Sequence, residues 1–161
     1  MELNGWSLSS NVNSVPDEPL RSILFDYSDL ANNSSFTASG NTKPRTASFP
    51  ISSPVLIRIV SPVQGTLTSV DLYGGGHWLQ QAKDVEVWSA SSDHSMTPNL
   101  TTQATKVGDL VLTRGNNLSE FDTLNITPPI SDVKVLYIKF LNNWGGWPNV
   151  TTGGIRPYLY V

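Results

Sequence analysis

The chain has 161 residues, no cysteine, a net charge of -3, and only 14% charged residues. That length suits one domain with a real core, and the missing thiols exclude a disulfide framework, a cysteine nucleophile and cysteine-ligated metal. The few Lys and Arg residues are thinly spread, which argues against a nucleic-acid or anionic-lipid surface, and no apolar run approaches the ~18 residues of a membrane span.

Taken in chain order, "MELNGWSLSSNV" lacks the basic-then-apolar layout of a signal peptide. Trp6 in this stretch covers the base of the fold or begins a strand. The segment "PDEPLRSILFD" carries the one helix signal: Asp17 as cap, Pro19 at an early position, and Leu20, Ile23 and Leu24 at helical spacing. Residues 28–50 are polar and patternless, as in a long functional loop. From there the chain reads as short strands. "SPVLIRIVSP" is an apolar run bracketed by prolines, and "GTLTSVDLYGGG" alternates and ends in glycines. "AKDVEVWSASSD" sets Val85 and Val87 against Asp84, Glu86 and Trp88. "VGDLVLTRGNN" ends in turn residues, and "FDTLNITPP" puts Leu124 and Ile126 on one face. "VKVLYIKFL" puts Leu136, Ile138 and Phe140 on one face and Val135 and Tyr137 on the other. "IRPYLYV" closes the chain. Period-2 alternation between turn clusters predicts an all-β antiparallel sandwich or barrel. No internal repeat and no composition break divides residues 1–161, so a single domain is expected.

The ordered set "FDYSDLANNSSF", "VLIRIVSPVQGTLTSVDLY", "AKDVEVWSASSD", "TKVGDLVLTRGNNLSEFDTLNITPPISDVKVLYIKFLNNWGG" and "GGIRPYLYV" resembles the discoidin, or coagulation factor 5/8 type C, superfamily. Within it the chain is most similar to the galactose-binding carbohydrate-binding modules of family 32. The resemblance runs from about Pro16 to the end, and "AKDVEVW" and "LYIKFLNNWGG" are its most specific parts. It implies a jelly-roll β-sandwich with at most one short helix near the N-terminus and a sugar site among the loops at one end. The absence of cysteines departs from the coagulation-type branch, whose termini are commonly joined by a disulfide.

Residue chemistry, read beside the resemblance, makes Arg45, Tyr73, His77, Trp78, Asn143 and Trp147 the candidate ligand contacts. The chemistry of these residue types suits a sugar. Aromatic faces stack on C–H faces, while amides and a rigid guanidinium fork bond hydroxyls. In "NNWGGWPN" the family's pattern makes Trp144 a packing residue, with Gly145 and Gly146 turning the backbone and Trp147 left at the tip. The plain alternatives are a flexible turn at "YGGGHWLQQ" with a solvated His77, and a solvated Arg45. Trp6 and Trp88 read as packing or sheet cover. The resemblance also implies one structural Ca²⁺ in the loop of Asp26, Asp29 and Ser34, whose hard oxygens suit that ion. Gly154 stands where the family usually has Glu, which removes one carboxylate. Six Asn-x-Ser/Thr sequons, at Asn32, Asn33, Asn99, Asn117, Asn125 and Asn149, follow from an Asn- and Thr-rich composition.

No serine-hydrolase elbow, phosphate loop or His-Glu-x-x-His is present, so no enzyme is expected. Asp93 beside His94 lies in a turn. Two readings remain. One is a non-catalytic carbohydrate-binding module, extracellular or surface-exposed, with a terminal sugar of a polysaccharide or glycoconjugate as partner and a catalytic domain or assembly partner attached. The other is a structural or protein-interaction module of a virion, tail fibre or cell surface that uses the same loops as an interface.

Overall fold

The computed structural model describes residues 6–14, 47–50, 54–73, 79–93, 99–113, 121–145 and 148–161. The strands are β1 (Ser7–Ser10), β2 (Ala47–Pro50), β3 (Val55–Tyr73), β4 (Asp84–Ala90), β5 (Thr105–Val111), β6 (Phe121–Phe140), β7 (Asn149–Thr152) and β8 (Ile155–Tyr160). One helical turn, α1 (Leu100–Gln103), precedes β5. All paired strands are antiparallel.

Two long strands organise the sandwich. The first part of β3 lies between β1 and β6, from Val55↔Phe140 to Val60↔Val135, and β4 and then β5 extend this layer beyond β6. The second part of β3 lies between β8 and the start of β6, with Ser69↔Asn125 and Tyr73↔Phe121 on one side and Leu72↔Ile155 on the other. Register shifts between Val60 and Ser69 mark where the pair crosses from one layer to the other; bulges bend and twist a strand in this way. A small β2–β7 ladder stands apart.

The expected turns at Pro62 and Pro128 are therefore corners within continuous strands. Pro62, Val63 and Gln64 are exposed, as are Pro128 and Pro129. There a missing N–H costs no ladder bond, which is where a strand tolerates proline. Two further departures concern 28–50 and the helix. Ala47–Pro50, within the stretch expected to be loop, is a strand because Asn149–Thr152 pairs with it. The helical turn at 100–103 is built by local polar chemistry: the Asn99 carbonyl accepts from the N–H groups of Thr102 and Gln103, and the Asn99 N–H donates to Gln103 Oε1. That reach-back resembles a capping box. The helix signal at "PDEPLRSILFD" lies outside the described residues.

Alternation fixes the core. Val55, Ile57 and Ile59 from one part of β3 and Leu67, Val70 and Leu72 from the other meet Val85, Val87, Ile126, Leu136, Ile138 and Phe140 in one buried cluster. Leu124 and Trp6 pack against it. The opposite face of β4 and β6 is also covered. Val135 and Tyr137 form a second cluster with Leu56 and Ala90, against which Trp88 and Leu100 pack. Trp88 thus sits on the face opposite Val85 and Val87, with its indole N–H donating to Glu86 Oε2 (3.0 Å). Lys106 and Lys139 complete a surface charge network around Glu86.

Candidate functional site

Beyond the main ladder, several segments are stitched together at the strand ends. The Tyr73 N–H donates to the Gly154 carbonyl (2.8 Å), and the Tyr73 carbonyl accepts from Gly153 (2.9 Å). Thr151 donates to the Gln80 carbonyl (2.7 Å) and accepts from Ala82 (2.8 Å). Lys83 N–H donates to the Asn142 carbonyl (3.2 Å), and the Lys83 carbonyl accepts from Leu112 (2.8 Å). Residues 79–83, 112–113, 141–145 and 149–154 therefore form one connected rim.

Side chains tighten this rim. Asn143 Nδ2 donates to the Asn149 carbonyl (2.7 Å), and Asn143 Oδ1 accepts from the Gly145 N–H (3.2 Å). One amide thus clamps "NNWGGWPN" from both sides. Gly145 packs so closely on Leu79 that a Cβ there would meet the Leu79 Cβ at 2.7 Å. Asn142 bonds both the Asp84 N–H (3.0 Å) and the Asp84 carboxylate (2.6 Å). Gln81 is fully buried, and its Nε2 donates to the Thr113 carbonyl. Thr113 in turn donates its N–H and hydroxyl to the two Asp122 oxygens, both at 2.7 Å. Hydrogen-bonded polar groups of this kind, with Gln81 buried among them, hold loops that an apolar core does not reach.

Trp144 is half-buried on this rim. The Lys83 ammonium lies 5.0 Å from its ring centroid, within cation–π range. Its indole N–H is buried and donates to no partner among the described residues.

Of the expected contacts, Asn143 and Tyr73 are described; Arg45, His77, Trp78 and Trp147 lie outside the described residues, as do Asp26, Asp29 and Ser34. Asn143 shapes the turn, as above. Tyr73 is only 6% exposed. Its ring centroid lies 4.9 Å from that of Phe121 at a 35° tilt, and Arg156 hydrogen-bonds to its phenol. Tyr73 therefore reaches a different surface, the outer face of β3, β6 and β8. There Asp71, 5% exposed, accepts from Thr123 Oγ1 (2.6 Å) and from the Tyr158 hydroxyl (2.9 Å). The Arg156 guanidinium lies 4.3 Å from the Tyr158 ring centroid. Burial, then the Asp71 charge, raises the Tyr73 phenol above its ordinary value. Burial, then the hydrogen bond to Asp71, pushes Tyr158 up to about 12.

Sequence reasoning missed Lys83, Gln81, Phe121, Arg156, Tyr158 and Asp71. For Asp71 a signal exists: in "SVDLY" a carboxylate alternates with Val70 and Leu72, so it sits opposite the core and needs its own donors. Among the described residues no group of three or more acidic or His side chains is placed to hold a metal. The Gly154 carbonyl accepts from Tyr73, and glycine offers no carboxylate in its place.

No protein-family model matches the sequence, and no curated protein matches it. Solved structures do match over nearly the whole chain. The family 32 carbohydrate-binding module of NanJ from C. perfringens, in complex with galactose, is 10% identical, with a TM-score of 0.62 and coverage of 96% of this chain and 93% of that one. A chitosan-binding module from a chitosanase/glucanase of Paenibacillus sp. IK-5 is 13% identical, with a TM-score of 0.58 and coverage of 96% and 95%. An F5/8 type C domain from Bacteroides fragilis is 15% identical, with a TM-score of 0.59 and coverage of 100% and 96%. The fold is the galactose-binding-like, discoidin-type β-sandwich.

Proposed function

We propose that this protein is a non-catalytic carbohydrate-binding module, a single sandwich unit whose sugar site lies on the rim built by residues 79–83, 112–113, 141–145 and 149–154. The observation that carries the reading is Trp144, a half-buried indole on the rim with the Lys83 ammonium 5.0 Å from its ring centroid. A sugar's C–H face stacks on the accessible part of that ring, and its hydroxyls bond the polar groups beside it. Support also comes from the fold, which is shared with modules solved with galactose and with a chitosan-binding module; fold alone does not assign function. In this reading Arg45, His77, Trp78 and Trp147 add ligand contacts, Asn143 shapes the rim, and galactose-type sugars are the ligand class. The module acts outside the cell or on a surface, attached to a partner domain. Among the described residues no helix is long and apolar enough to cross a membrane.

A single shallow pocket binds one sugar weakly, and avidity compensates. The test is therefore a glycan array with the protein made multivalent, run with Ca²⁺ and with chelator. Selective signal on terminal galactose, N-acetylgalactosamine or a related polysaccharide, lost in Trp144→Ala and Trp147→Ala, is the expected result. Loss of signal with chelator implicates the Asp26, Asp29 and Ser34 loop. Silence across the array overturns the reading in favour of an assembly or protein-interaction module, for which a mass measurement for oligomers is the next step.

A further inference from the structure

The outer face of β3, β6 and β8 carries more chemistry than sheet cover needs. Phe121, Thr123 and Asn125 on β6, Asp71 and Tyr73 on β3, and Arg156 and Tyr158 on β8 alternate with the core residues Leu124, Ile126, Val70, Leu72 and Ile155, so they share the outward face. Phe121 is 50% exposed. Its ring is backed by Tyr73 at 4.9 Å, and Tyr73 is held by Arg156. Asp71 accepts from Tyr158 and Thr123, which locks the polar neighbours. A half-exposed ring fixed from behind, beside hydroxyls and a guanidinium, is the arrangement that stacks a sugar face and bonds its rim.

This face is distinct from the rim but abuts it: Tyr73, whose ring backs Phe121, exchanges backbone hydrogen bonds with Gly153 and Gly154 of the rim. We infer that Phe121, with Thr123 and Arg156 at its side, forms a further subsite that takes a second sugar ring of the same glycan. The ligand is then an oligosaccharide that runs from the rim onto the sheet face, rather than a lone terminal sugar. This inference rests on the carbohydrate-binding reading above.

The experiment is a titration of the isotopically labelled full chain, followed by backbone amide NMR, with galactose, β-1,4-galactotetraose and chitotetraose as probes. The expected result is that a tetrasaccharide shifts the amides of Phe121, Thr123 and Arg156 together with those of Asn143, Trp144 and Gly145, whereas galactose shifts only the latter group. Phe121→Ala lowers the tetrasaccharide affinity roughly 3- to 10-fold, in line with the loss of one aromatic stacking contact, and leaves galactose binding unchanged. Phe121→Trp retains the tetrasaccharide preference, which separates lost stacking from lost folding. If tetrasaccharides move only the rim amides, or bind Phe121→Ala as tightly as wild type, the subsite is refuted while the module reading stands. If no probe moves any amide, the module reading fails and the subsite falls with it.

Discussion

The Asp71 network carries a stability prediction that can be worked from its geometry. Asp71→Ala removes the acceptor of two hydrogen bonds, from Thr123 at 2.6 Å and Tyr158 at 2.9 Å, at a carboxylate 5% exposed. A hydrogen bond to a charged group contributes about 1.5–3 kcal/mol. Thr123 is exposed, so water replaces its lost partner and its share lies at the low end. The Tyr158 hydroxyl is partly enclosed and recovers less. The expected cost is about 3 kcal/mol. For a domain of this size that lowers the melting temperature by about 6–12 °C. Tyr158→Phe removes one of the bonds and costs about 1–2 kcal/mol. Because both changes delete the same contact, Asp71→Ala with Tyr158→Phe costs less than the sum, with a coupling of about 1–2 kcal/mol. Urea unfolding of wild type, the two single variants and the double variant measures all four corners of the cycle. A cost below about 1 kcal/mol for Asp71→Ala, or a coupling of zero, refutes the network as a stabilising unit.

Further outcomes follow from single contacts. The raised Tyr158 phenol, about 12 against an ordinary 10, means that the folded state holds this proton more tightly than the unfolded state. Its contribution is complete below pH 10 and is lost as pH rises from 10 through 12; an alkaline absorbance titration should show late tyrosine ionisation that Tyr158→Phe removes, and the melting temperature should fall less steeply in that variant over the same interval. Gly65→Ala places a Cβ 2.7 Å from the Tyr160 carbonyl and 2.8 Å from Leu159 Cγ; since backbone cannot yield cheaply, a destabilisation of about 1–3 kcal/mol is expected in urea unfolding. Gln81→Ala strips the fully buried amide from the Thr113 carbonyl, and should cost about 1–3 kcal/mol by the same assay while weakening sugar binding through the rim. Trp144→Ala removes the ring that lies against Lys83; in the rim reading sugar affinity is lost, and unchanged affinity by NMR titration counts against Trp144 as the stacking surface.

The sandwich class was legible because burial on one face of a strand writes a period of two into the chain. "VKVLYIKFL" shows it most clearly: Leu136, Ile138 and Phe140 enter the central cluster, and Val135 and Tyr137 enter the second one. "AKDVEVW" behaves likewise. The corners at Pro62 and Pro128 were not legible, since a proline beside turn residues looks the same whether a strand stops or bends at an exposed bulge. The pairing of Ala47–Pro50 with Asn149–Thr152 was hidden for a different reason: strands of four residues are too short to display a period.

The candidate site divides along the same line. Residue chemistry and the resemblance together singled out "NNWGGWPN", where two indoles stand around glycines and amides. That Asn143 clamps the turn, that Lys83 lies on Trp144, and that Gln81 ties Thr113 to the rim depend on segments brought together from distant parts of the chain. Tyr73 illustrates the limit most sharply. Its position next to a glycine run suggested a loop contact, yet the alternation of β3 turns it to the outer sheet face, against Phe121 and Arg156. Local periodicity determined by itself that this chain is built of strands and which residues of its longer strands enter the core. Tertiary pairing decided where those strands bend and which polar side chains meet, since hydrogen bonds between residues many positions apart leave no periodic trace in the sequence.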